Sequence, residues 1–334
     1  MAQKVDISPV NISFDKFNSL ISIMQAFPDA DNCKRFIAEQ RWPDGDVVCP
    51  YCKLHHCQNR KDGKYRCPNC LHNFSATLGT LFHNTKIPLI KWFMAMYLLS
   101  AHKKGVSSYQ LARDIEVTQK TAWYILSRVR KLFSQDTEAL ELDKDVECDE
   151  AYIGGQEKYK HTDKKTEGTQ GRSLKTKAAV FGMVQRGHEQ EEDAKGPKGG
   201  KVVAKHTQDV QGATLSAIIR QHVKPDSRIF TDEYIGYNSL VESEYTHAVV
   251  NHGEKQFVDG EAHTNTIEGF WSQLKRSIFG IYHFVSKGHL QDYVDEAVFR
   301  YNTCKGTSGD RFKTMFERSI QVIRQKDVKM AKAA

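Results

Sequence analysis

The sequence predicts a multidomain α+β chain, and three observations carry that reading. Four cysteines fall into two Cys-x-x-Cys pairs, a helical region follows them, and from Val146 the texture changes to strands ended by glycines. At 334 residues the chain can bury substantial cores, so two or three domains are expected.

Residues 1–46 are expected to form N-terminal helices. Phe17, Leu20, Ile21 and Met24 recur at helical spacing, and Pro43-Asp44-Gly45 breaks the pattern. Residues 47–83 hold Cys49-Pro-Tyr-Cys52 and Cys67-Pro-Asn-Cys70, with 14 residues between the pairs. Each pair places two thiolates on one side of a metal, and two such knuckles complete a four-sulfur Zn²⁺ site, a zinc ribbon. Four protein ligands leave no open coordination position. The zinc is therefore expected to be structural, with a binding free energy on the order of 10 kcal/mol that doubles as folding energy. Cys57 is an alternative ligand outside the pairs, and Cys33, Cys148 and Cys304 are expected as buried thiols. Gly63-Lys64-Tyr65-Arg66 adds basic groups beside an aromatic, as a nucleic-acid contact would.

Residues 84–135 read as a helical, helix-turn-helix-like DNA-binding region. Leu111, Ala112 and Ile115 are expected to pack on Val117, Ala122 and Ile125, with Thr118 as N-cap of the second helix. Gln119, Lys120, Thr121 and Tyr124 then lie on its outward side, where a major groove can take them, with Arg128, Arg130 and Lys131 near phosphates.

A charged linker, 134–145, leads into a domain spanning 140–305. Strands are expected over 146–153, 177–185, 201–206, 228–231 and 246–251, and helices over 212–222, 265–279 and 289–303. A basic loop at 158–175 and a hairpin tip at 187–200 separate the first three strands. This element order is that of an RNase H-like α/β domain, and a C-terminal basic tail, 306–334, completes the chain.

Three acids stand out in that domain. Asp149 lies in Val-Glu-Cys-Asp-Glu-Ala-Tyr-Ile-Gly-Gly, Asp232 follows the short apolar strand Arg228-Ile-Phe-Thr, and Glu268 lies in Asn-Thr-Ile-Glu-Gly-Phe-Trp. Glu147 and Asp149 alternate with Val146 and Cys148, as a strand with one face toward a site does. On the helix, Ile267, Phe270, Trp271, Leu274 and Ile278 make a core stripe, and Asn265, Glu268, Ser272 and Lys275 share the neighbouring face. Converging carboxylates repel, and a divalent cation such as Mg²⁺ or Mn²⁺ resolves the conflict. A phosphate-binding Lys275 beside such a cation is equipment for phosphoryl transfer.

The runs Glu-Cys-Asp-Glu-Ala-Tyr-Ile-Gly-Gly, Thr-Asp-Glu-Tyr-Ile-Gly-Tyr, His-Thr-Asn-Thr-Ile-Glu-Gly-Phe-Trp-Ser-Gln-Leu-Lys-Arg and Tyr-Val-Asp-Glu-Ala-Val-Phe-Arg-Tyr-Asn resemble those of DDE-type bacterial insertion-sequence transposases with an N-terminal zinc ribbon. The likeness spans roughly residues 41–302. The 35 residues between Asp232 and Glu268 match a separation familiar in that class. The resemblance implies an RNase H-like catalytic domain in which Asp149, Asp232 and a third helix residue, Glu268 or Asn265, hold the catalytic metals. It further implies cleavage and transfer of double-stranded DNA at terminal inverted repeats and in the target, and a homodimer on DNA.

Charge fits such a partner. Lys and Arg total 48 against 41 Asp and Glu, for a formal net charge of +7 and a pI near 8.8. The most apolar window, Trp92–Ala101, is about half the roughly 20 residues a membrane span needs. The N-terminus lacks a secretory signal, so a cytoplasmic, nucleoid-associated protein with reduced cysteines is expected. Two other classes share parts of this equipment. A domesticated DNA-binding regulator would keep the recognition modules without the chemistry, and an RNase H-like nuclease would share the acids without needing both modules.

Overall fold

The computed structural model describes residues 12–155, 161–167, 169, 173–187, 199–231, 244–249 and 264–321. The chain divides into two compact units, 1–132 with 306–334, and 133–305.

The first unit begins with a 3-10 turn, Phe14–Lys16, and helices α1 (Leu20–Ala26) and α2 (Ala30–Arg41). Ser19 and Ser22 form a reciprocal capping box on α1, and the Asp29 side chain accepts from the Asn32 amide at 2.7 Å to start α2. Ile21 and Met24, expected in the buried stripe, are 65% and 52% exposed. The short α1 is anchored instead by Phe17 before it and Phe27 after it, and Ile23 is its fully buried residue. Phe27 lies 5.0 Å from Phe36 and 4.9 Å from Phe93, ring to ring, so aromatic edges and faces build this core.

Three two-residue strands follow, β1 (Gln58–Asn59), β2 (Tyr65–Arg66) and β3 (Asn73–Phe74), in one antiparallel sheet. Helix α3 (Leu89–Ala101) is buried from Trp92 through Ser100, which marks it as the central helix of the unit. Helices α4 (Ser108–Asp114) and α5 (Gln119–Arg130) are joined by a short turn in which Glu116 takes a left-handed φ of 53°. Thr118 caps α5, its hydroxyl accepting from the Thr121 amide at 3.2 Å, as the sequence indicates.

In the second unit the expected linker contains a helix, α6 (Ser134–Ala139). Strands β4 (Asp145–Ile153), β5 (Ala178–Arg186), β6 (Gly199–Thr207), β7 (Arg228–Thr231) and β8 (Thr246–Val249) form a mixed sheet in the order β6-β5-β4-β7-β8. The pairs β4–β5 and β5–β6 are antiparallel, whereas β4–β7 and β7–β8 are parallel. Helix α7 (Gly212–His222) covers one face through Leu215 and Ile219 against Val146, Cys148, Phe181 and Met183. Helices α8 (Asn265–Ser277) and α9 (Leu290–Asn302) cover the other, where Ile267, Phe270, Trp271 and Leu274 meet Ala151, Val180 and Val202. Sheet edge β6 is sealed by side chains of α9. Asn302 exchanges hydrogen bonds with the Val202 backbone at 2.8 and 2.9 Å, and Gln291 accepts from the His206 amide.

The segment expected as a basic tail instead carries a helix, α10 (Ser308–Ile320). Its Phe312, Met315, Phe316 and Ile320 are buried, and Phe316 lies 5.1 Å from Phe93 and 4.9 Å from Phe36. A Thr307–Asp310 capping box starts it, so the C-terminal part of the chain completes the first unit's aromatic core. Cys304, expected to be buried, is exposed, while Cys33 and Cys148 are buried. Among the described residues no helix is long and apolar enough to cross a membrane.

Candidate functional site

Strand β4 presents Glu147, Asp149 and Ala151 toward α8, because alternate residues of a strand share a face. Asp149 pairs with Gly182 on β5. The missing side chain there makes room for Trp271 of α8: a Cβ on Gly182 would lie 2.6 Å from the indole ring. The ring therefore rests on the sheet, and its Nε1–H donates to Asp149 Oδ2 at 3.0 Å. Gly182→Ala is expected to push α8 off the sheet and cost about 1–3 kcal/mol, the usual price of overpacking. Thermal melting and Trp271 emission would check it, and an unchanged melt with unchanged emission would contradict this packing.

Glu147 is 0% exposed and makes contacts that the sequence alone did not assign. Its Oε1 accepts from Arg186 Nε on β5 at 2.8 Å and from Thr266 Oγ1 at 2.8 Å. Its Oε2 accepts from the backbone amides of Thr266 at 2.9 Å and Ile267 at 3.0 Å. These amides belong to the first turn of α8, whose N-cap Thr264 supplies no side-chain cap. A carboxylate from β4 thus satisfies donors that a helix start leaves over, at the positive end of its dipole. Arg186 also lies 3.8 Å above the Phe230 ring of β7. One buried network therefore touches β4 two residues before Asp149, α8 two residues before Glu268, and β7 two residues before Asp232. The only signal in the sequence was the alternation of Glu147 with Val146 and Cys148.

Asp149 and Glu268 line one open cleft of about 720 Å³ with Ser272, Lys275, Arg276 and Phe279. Asp149 is half-buried and Glu268 exposed. Asn265, exposed at the first position of α8, does not line that cleft. Asp232 lies outside the described residues, as do residues 158–160, 168 and 170–172 of the basic loop and most of the hairpin tip.

The cysteine pairs do come together. The sulfurs of Cys49, Cys52, Cys67 and Cys70 lie within 4.8 Å of one another, with 3.6 Å between Cys49 and Cys70 and 3.4 Å between Cys52 and Cys67. A tetrahedron with Zn–S bonds near 2.3 Å has edges of about 3.8 Å, so the sulfurs fit Zn²⁺. The two knuckles share one backbone pattern. Lys53 and Leu71 donate to the carbonyls of Cys49 and Cys67 and take left-handed φ values of 62° and 60°. Burial pushes the Cys67 thiol up, but amide hydrogen bonds from Cys70 and Asn69 and the neighbouring sulfurs outweigh it and bring it down to about 6. Cys57 is buried outside this set, with its Sγ 3.7 Å from the Leu54 carbonyl.

Of the residues expected to face DNA from α5, Lys120 and Tyr124 are exposed. Gln119 donates to Ser108 Oγ at 2.8 Å, Thr121 shares a 2.9 Å hydroxyl contact with Thr118, and Arg128 donates to Tyr124 Oη at 2.6 Å. Arg130, expected near phosphates, is instead buried at 2% exposure, because its position falls on the packed face of α5 with Leu126 and Val129.

Comparison with known proteins bears on both units. Residues 141–302 match the model of the ISXO2-like transposase domain. A protein of the transposable element ISH50 from Halobacterium salinarum is 26% identical over 311 residues, covering 89% of this chain and 99% of its own length. A transposase-like protein of Haemophilus influenzae is 37% identical over 94 residues, covering 28% of this chain and 75% of its own length. With the four-cysteine cluster ahead of the matched domain, the chain belongs to the insertion-sequence transposases, and its residues 141–302 match an ISXO2-like transposase domain.

Proposed function

We propose that the chain cleaves and transfers DNA strands at the terminal inverted repeats of an insertion sequence, through an RNase H-like domain whose Asp149, Asp232 and Glu268 hold Mg²⁺ or Mn²⁺. The observation that carries this is the convergence of Asp149 and Glu268, remote in sequence, on one solvent-open cleft with Lys275. Their oxygen donors suit a hard divalent cation. The strand order supports the RNase H-like assignment, with three antiparallel strands followed by two parallel to the first. The register supports Asp232. Glu147 pairs with Phe230 in parallel strands, and in the sequence Asp232 directly follows Thr231, the last residue of β7. Ligands of such sheets gather beyond the carboxyl ends of the parallel strands.

Each side chain then has a task. Trp271 fixes the Asp149 carboxylate through one oxygen, Glu147 fixes the start of the helix that carries Glu268, and Lys275 steadies a backbone phosphate. Bound magnesium would supply Lewis acidity at the scissile phosphate and a more nucleophilic oxygen. In the first unit, the four-cysteine ribbon and the α4–α5 pair, read as a helix-turn-helix, are the DNA-recognition modules. Lys120 and Tyr124 face the duplex, and Arg128 holds the Tyr124 hydroxyl. Two element ends must be joined in one event, so the working form is a dimer on DNA, acting in the cytoplasm.

The test is cleavage of DNA carrying the element's ends in Mg²⁺. Asp149→Asn, Asp232→Asn and Glu268→Gln are expected to fall to background while DNA binding persists, and Asn265→Ala is expected to retain activity. Full activity in Asp149→Asn sinks the site, and an active Glu268→Gln with an inactive Asn265→Ala moves the third ligand to Asn265.

A further inference from the structure

The face of α8 that carries Glu268 continues past the acids. Glu268, Ser272, Lys275 and Phe279 follow one another at spacings of four, three and four residues, and all of them line the same cleft. Phe279 stands in a π-helical turn, Ile278–Tyr282, that prolongs the helix, and its carbonyl accepts from His283 Nδ1 at 3.1 Å. Ile278 is buried and completes the core stripe, whereas Phe279 is 48% exposed. Wide π turns inside helices are rare and recur at functional sites. A single exposed phenylalanine means little by itself. This one is set apart by its neighbours, since Lys275 and Arg276 line the cleft beside it, together with the carboxylates of Asp149, Glu150 and Glu268.

We infer that Phe279 is a stacking platform for an unpaired nucleobase next to the scissile phosphate, an inference that rests on the strand-transfer reading of this cleft. A flat apolar ring can cover the face of a base only where that base has left its neighbours, because in duplex DNA both faces are already stacked. The cations beside it hold the phosphates of the same strand. Phe279 stands eleven positions after Glu268, about 16 Å along a helix at 1.5 Å per residue. At a duplex-like rise of about 3.4 Å per nucleotide, the stacked base lies within about five nucleotides of the cleaved bond. The cleft therefore takes a frayed or locally opened DNA end, and Phe279 favours that opening.

The full-length protein tests this by fluorescence anisotropy without added magnesium, so that no strand is cut. Two probes are compared, a blunt duplex and the same duplex with about five unpaired nucleotides at one end. The wild type is expected to bind the unpaired end about tenfold more tightly, within the range of one aromatic–base stack. Phe279→Ala and Phe279→Leu should bring that ratio toward one, and Phe279→Trp should keep it. Phe284→Ala, which removes a 75% exposed aromatic that does not line the cleft, should also keep it. A wild type without preference, a Phe279→Ala variant with the wild-type ratio, or an equal loss of affinity for both probes overturns the subsite. Asp149→Asn should keep the ratio, so failure of the acid assignment in cleavage assays is read separately from failure of the stacking platform.

Discussion

Replacing Glu147 by alanine is expected to abolish strand transfer as completely as loss of Asp149, although Glu147 is sealed from the cleft. The carboxylate accepts from Arg186, from the Thr266 hydroxyl and from two backbone amides at the start of α8. Removing it takes the carboxylate away from the Arg186 guanidinium, whose side chain is 12% exposed, and from the amides of Thr266 and Ile267 at the helix start. Breaking a buried ion pair by deleting one partner typically costs about 3–5 kcal/mol, so the variant should melt far below the wild type. Glu147→Gln separates fold from position. It keeps the volume and one acceptor oxygen but loses the charge, so a smaller destabilisation of about 1–3 kcal/mol is expected. A folded Glu147→Gln protein should show faster amide exchange at Thr266 and Ile267. Its affinity for Mn²⁺, read by the metal's paramagnetic resonance, should fall about 10–100-fold, as when a partner that orients a metal ligand is lost. Wild-type exchange and wild-type Mn²⁺ affinity in that variant would show that Glu147 orients nothing.

The contrast between Glu147 and Asp149 shows what was legible in the sequence. Both occupy the same face of a strand, and alternation with Val146 and Cys148 locates that face. Which acid meets water and which meets a helix start depends on α8, more than a hundred residues later, and local pattern carries no such information. Gly182 was silent for the same reason, since its meaning is the indole ring that fills its place. Short-range chemistry was readable: the Thr118 cap, the two knuckles and the bounds of β7 follow from neighbours within a few residues. The helix α10 was readable too. Thr307 and Asp310 form a capping box, and Phe312, Met315, Phe316 and Ile320 follow at helical spacing, but the basic residues among them read as a basic tail. Arg130 and the pair Ile21 and Met24 erred in opposite senses, because a helix's periodicity gives its apolar face without giving the neighbours that cover it.

Removing zinc is expected to unfold residues 47–83 while leaving the mixed sheet of the second unit intact. Strands β1, β2 and β3 are two residues each, too short for their ladders to hold a fold alone. Their apolar support is Trp42 against Tyr65 at 5.1 Å and Phe74 at 6.3 Å, and the remaining centre is the four sulfurs. Without a cation those sulfurs keep protons among themselves. The His72 amide pulls the Cys70 thiol down, but burial and the sulfurs of Cys49, Cys67 and Cys52 outweigh it and push it up to about 12. Zinc replaces those protons, so acid competes with it. Cys67 titrates below its ordinary value, so the stability it adds is present at higher pH and lost as pH falls through about 6. A cation shared by all four thiolates opposes their protonation, so zinc release is expected to follow acidification. Chelation or Cys67→Ser should therefore expose 47–83 to protease, loosen Trp42 and weaken DNA binding. Cys57→Ser should hold one zinc per chain, because its sulfur lies outside the tetrahedron. If Cys67→Ser bound zinc as tightly as the wild type and resisted protease equally, the ribbon would owe its fold to the aromatic cluster, and the metal would be an accessory to it.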